Sequence, residues 1–67
     1  MDIDLKTIRV GMALDQHELA DKLGITQSAI SKIELGKRNL TRRTQLQLRQ
    51  IVLRLPMDKR PEGWESL

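Results

Sequence analysis

Within residues 15–36, DQHELADKLGITQSAISKIELG, the signals that start and stop a helix occur twice in close succession. Asp15 followed by Glu18 has the pattern of a capping box, in which side-chain oxygens satisfy backbone N–H groups that a helix start leaves without partners. Leu14 and Leu19 have the spacing of a hydrophobic staple, and Leu19, Ala20 and Leu23 fall on one face. Gly24 stands where a helix end favours positive φ, so the pattern predicts a helix over 16–23. Thr26 then opens a second segment, with Ile25 and Ile30 as its staple, Ala29, Ile30 and Ile33 as its inner face and Gly36 as its stop. It predicts a helix over 27–35. Two short helices, joined by a tight turn containing glycine and each needing to bury an apolar face, form the helix-turn-helix pattern over residues 15–36. Ala20 is small enough to let the two helices cross closely.

The outward positions of the second helix are Gln27, Ser28, Ser31 and Lys32, all uncharged polar or basic. Gln and Ser side chains can hydrogen-bond base edges in the major groove of DNA, and Lys can reach guanine or phosphate. A helix-turn-helix also occurs as a purely structural unit, and an ordinary solvated helix more often mixes Glu with Lys. The charge distribution bears on the choice. The net charge is +3, and from Leu35 to Met57 there are six basic residues, Lys37, Arg38, Arg42, Arg43, Arg49 and Arg54, with no acidic one. Such asymmetry suggests a side that faces a polyanion, the bland alternative being a generic basic surface. With Trp64 the only aromatic residue, base-stacking modules for single strands are not expected, which makes duplex DNA the better partner.

Gln16, Ala20, Gly24, Gln27, Ile30, Ser31, Glu34 and Gly36, in the run LDQHELADKLGITQSAISKIELGKRNL, resemble the helix-turn-helix of the lambda-repressor-like (Cro/CI, XRE-type) family over about residues 4–55. Leu40 departs from the pattern, since many members carry proline there. The resemblance implies an all-α domain of four helices with a possible short fifth, and sequence-specific binding of double-stranded DNA. It implies that Gln27, Ser28 and Lys32, with Ser31 assisting, read bases. It also implies that Gln16, Lys37, Arg38, Asn39, Arg42 and Arg43 reach phosphates, Gln16 from a helix N-terminus where the backbone itself favours an anion. Read without the family, Gln16 is merely a tolerated polar residue at a helix start. Arg9, which falls oddly close to the apolar face of its helix, is implied to pair with Glu34; the alternative is an Arg9 exposed to phosphate or solvent.

The rest of the chain is read as support. Residues 2–12 predict a first helix with Leu5, Ile8 and Met12 inward and Asp2 or Asp4 as its cap, ending near Gly11. After the loop KRNLTRR, Thr41 or Thr44 caps a helix whose stripe is Leu48, Ile51, Val52 and Leu55, with Leu46 and Leu53 off it, and Pro56 stops it. Sixty-seven residues are expected to form one domain, 1–67, and a chain this short buries only roughly 60% of its unfolded surface. Part of the fourth helix is therefore expected to be covered by a second subunit, with Leu48, Val52, Leu55 and Trp64 at a homodimer interface. The stretch 57–67 has no clear period and reads as a loose or dimer-forming tail, with Trp64 packed on the core or a partner, or else partly exposed.

There is no Cys, and His17-Glu18 lacks the second histidine of a zinc helix, Asp21 standing in its place, so His17 reads as a surface residue and no metal is expected. No nucleophile-and-base pair and no Gly-rich phosphate loop appear, so neither enzymatic activity nor a cofactor is expected. Apolar runs are too short for a membrane span and nothing resembles a signal peptide, hence a soluble cytoplasmic protein is expected. The functional expectation is a small phage or prophage repressor of the Cro kind that binds a palindromic operator as a dimer. Its rivals are the DNA-binding antitoxin of a toxin–antitoxin pair, with the toxin as protein partner, and an interaction module using the helix-turn-helix as scaffold.

Overall fold

The computed structural model describes residues 3–67, and all the regular structure in them is helical. Asp4 caps the first helix, α1 (Leu5–Gly11), its carboxylate accepting from the Thr7 N–H, while Asp2 lies outside the described residues. The capping box of α2 (Gln16–Leu23) is complete: Asp15 accepts from the Glu18 N–H at 2.7 Å and Glu18 from the Asp15 N–H at 3.0 Å. Gly24 ends α2 at φ 68°, a left-handed conformation that costs a residue without a Cβ nothing. Thr26 caps α3 (Gln27–Glu34), one residue shorter than its periodicity predicts, with Leu35 as the C-cap. Of the two candidates at the fourth helix it is Thr41 that caps α4 (Arg42–Leu53), and Thr44 is buried inside the first turn, hydrogen-bonded to the Thr41 hydroxyl.

Helices of 7 to 12 residues are too short to persist alone in water, so packing has to hold them. Leu5 and Ile8 of α1, Leu19, Ala20 and Leu23 of α2, Ile30 of α3, and Leu48 and Val52 of α4 form one buried cluster. Both staple residues that precede a cap, Leu14 and Ile25, pack against it, as do Met12 and Ile33. The most extensive helix–helix contact is α2 on α3, with α1 packed on α3 and α4 on α2.

Two expectations change here. Leu48 and Val52 are fully buried in the chain's own core, so neither is available to a partner subunit; α4 packs on α2 instead. In place of a loose tail or a fifth α-helix, residues 57–67 form two single 3₁₀ turns, Met57–Lys59 and Trp64–Ser66, and lie on the core. Leu67 is buried and Trp64 packs beside it. Gly11 explains how the segment seats: a Cβ there would come within 2.6 Å of the Pro61 Cβ and 3.0 Å of its Cα. Glycine in α1 is therefore a packing requirement as much as a helix stop.

Gly→Ala within a helix ordinarily stabilises by about 0.5–1 kcal/mol. At Gly11 the sign reverses, because the added methyl overpacks a rigid ring, and we expect Gly11→Ala to cost about 1–3 kcal/mol in urea unfolding.

Candidate nucleic-acid interface

Amphipathicity decides which side of α3 is free. Ala29 and Ile30 face the core, so the residues between those turns project outward: Gln27, Ser28 and Lys32 are exposed and Ser31 is half-buried. An eight-residue helix is about 12 Å long, comparable with the width of the major groove of B-DNA. Thr26 supplies the only side-chain cap at its start, and no acidic residue occupies its first turn. The loop that follows carries Lys37, Arg38 and Asn39, and the first turn of α4 carries Arg42 and Arg43, all five exposed. Arg49, in the same basic stretch, is turned away, donating to the Leu67 carbonyl oxygen at 2.8 Å.

Behind this surface sits a polar cluster drawn from three helices. Arg9 of α1 meets Glu34 at the end of α3 fork to fork, Nε to Oε2 at 2.6 Å and Nη2 to Oε1 at 3.1 Å, and its Nη1 donates to the Leu14 carbonyl at 2.9 Å. Only 12% of the Arg9 side chain and 6% of the Glu34 side chain remain exposed. Burial pushes the Glu34 carboxyl up, but hydrogen bonds from Arg9 and Gln16 and the charges of Arg9 and Lys6 outweigh it, so its pKa lies below the usual value. The hydrogen bond to Glu34 raises the pKa of Arg9.

Gln16 occupies a place that spacing did not foretell. Its Nε2 donates to Glu34 Oε1 at 3.0 Å, which turns one amide hydrogen inward and makes Gln16 the third member of the cluster. A contact between residues 18 apart in sequence, one at a helix start and the other at a helix end, leaves no local pattern to find. The cation–π stack of Arg60 on Trp64, 4.6 Å from guanidinium to ring centroid, is local by contrast, joining residues one turn apart in a segment whose sequence shows no helical period. His17, with 71% of its side chain exposed, lies 3.5 Å from Asp21 one turn on.

The consequence for charge is plain. From Lys22 to Met57 the sequence has a single acid, Glu34, and that carboxylate is sequestered by Arg9 and Gln16. The surface built by α3, its following loop and the start of α4 thus presents cations, neutral polar groups and the exposed Leu35, with no carboxylate among them. An exposed polar helix crossing a second at a glycine turn and flanked by such cations defines the class: a helix-turn-helix DNA-binding regulator. Residues 5–48 match the family model described as Helix-turn-helix, and the chain belongs to that family, of the Cro/CI, XRE type. No solved structure matches the chain. Among the described residues no helix is long and apolar enough to cross a membrane.

Because the Arg9–Glu34 pair is almost fully removed from water, breaking it differs from losing a surface pair worth about 0–1 kcal/mol. Glu34→Ala strands the Arg9 guanidinium and is expected to cost about 3–5 kcal/mol in thermal or urea unfolding. The pH dependence has a definite sign. A carboxyl with a depressed folded pKa contributes stability in full above its ordinary value of 4.5, and loses it as pH falls through the lower folded value. Acidification from about pH 6 to about pH 3 should therefore lower the Tm of the natural chain more than that of Glu34→Gln, as followed by circular dichroism.

Proposed function

We propose that the protein is a transcriptional repressor of the Cro kind that binds a palindromic operator as a dimer, each α3 lying in the major groove of one half-site. The observation that carries this reading is the carboxylate-free surface around α3, produced by the burial of Glu34. Gln27 is the foremost base reader, able to bind adenine in bidentate fashion; Ser28 and Lys32 read beside it and Ser31, half-buried, assists. Lys37, Arg38, Asn39, Arg42 and Arg43 hold the phosphates on one side. Gln16 reaches a phosphate with the amide hydrogen that Glu34 leaves free, and so ties the contact with DNA to the cluster behind it. With Leu48 and Val52 committed to the core, the dimer contact falls to Leu55 and the exposed Leu53 and Met57 near the end of α4. Two half-sites about one helical turn apart suit such a pair.

Selection from a random duplex pool tests the reading: a single palindromic word should emerge, and a pool with no enriched word would overturn it. Gln27→Ala should cost about 1–3 kcal/mol on that word and relax one position, whereas Lys37→Ala and Arg38→Ala should weaken all sequences alike. If each subunit neutralises about four phosphates, log affinity of the dimer should fall against log salt with a slope of roughly −7.

A further inference from the structure

Residues 60–67 lie beyond residues 5–48, which match the family, yet they are fastened to the rest of the chain at both ends and in the middle. Arg60 donates from Nε to the Leu55 carbonyl at 3.1 Å, satisfying the chain just past α4, and its guanidinium covers the Trp64 ring. Pro61 is buried against Gly11, too close to admit a methyl. Leu67 closes the segment, its side chain in the core and its carbonyl oxygen held by Arg49. Between these anchors the segment runs along α1, and Thr7 and Ile8 line a shared groove with Glu62, Gly63 and Ser66.

What α1 does for α3 is narrow. Its polar hold on the reading helix is Arg9, two residues before the glycine on which Pro61 sits. A seven-residue helix has little rigidity of its own, and its position is set by what packs on it. We propose that residues 60–67 act as a strap that fixes α1 where Arg9 can grip Glu34, which makes Arg60 and Pro61 positioning residues for DNA reading although neither lies on the reading surface. The strap sets the orientation of α3 through Arg9, and the affinity it confers is independent of the operator word. The effect on binding rests on the DNA-reading role proposed above, while the effect on Arg9 does not.

The test uses Trp64, the only tryptophan, as reporter of the strap, and the exchange protection of the Arg9 Nε–H in NMR as reporter of the grip. All measurements are made at a temperature where far-ultraviolet circular dichroism matches the natural chain. In Arg60→Ala the Trp64 emission should shift to the red, the Arg9 Nε–H should lose protection, and the Kd for duplex DNA should rise between about twofold and thirtyfold. Arg60→Lys, which keeps a cation near the ring, should fall between the two. Gly11→Ala, which pushes Pro61 away without touching Arg60, should produce the same three changes and serves if Arg60→Ala fails to fold. A red-shifted Trp64 with Arg9 still protected, or an Arg60→Ala chain whose emission does not move, overturns the strap. Should the natural chain bind no duplex, the DNA reading fails, and Arg9 protection in the free protein still decides the strap.

Discussion

The fork of Arg9 on Glu34 is the contact on which both the packing and the surface chemistry depend. A carboxylate left exposed at the end of α3 would stand among the groups proposed to meet phosphate; the same carboxylate buried alone would bear a large desolvation cost. The structure resolves the conflict by saturating it. Arg9 brings two N–H groups, Gln16 brings a third, and the remaining Nη1 of Arg9 is satisfied by the Leu14 carbonyl. Three helices are thereby tied at one point, and among the described residues no buried side-chain polar atom lacks a partner.

Around that knot the hydrophobic core is small, and the way it is completed explains the shape of the rest. α4 sends Leu48 and Val52 to the interior, which leaves Leu46 and Leu53 on the surface. The last residues are recruited in turn, Leu67 entering the core and Trp64 lying against it under the Arg60 guanidinium. For a chain of this size such recruitment adds a substantial share of the apolar area removed from water. The recruitment requires a glycine at position 11, where a Cβ would meet Pro61.

The helices themselves were legible before any coordinates, because what starts and stops them acts over a few residues. Asp15 with Glu18, Thr26 with Ala29 and Thr41 with Thr44 are hydrogen bonds across three positions, and Gly24 needs only its own φ. The outward face of α3 followed from the same periodicity. Less legible was which body covers each apolar stripe. A helical stripe such as Leu48, Ile51, Val52 and Leu55 reads the same whether its neighbour is another helix of the chain or a second copy, and only the closed core shows that Leu48 and Val52 face the chain's own interior.

The sequence by itself determined four helices, their caps and turns, an α3 with Gln27, Ser28 and Lys32 outward, and a basic run beside it. Only tertiary structure decided that Gln16 turns onto Glu34 and that Pro61 fills the space at Gly11. The reason is physical: a cap or staple is a contact between neighbours along the chain, whose geometry the helix guarantees. Contacts 18 to 50 residues apart exist only once the whole core has closed and chosen, among chemically equivalent partners, the ones that meet.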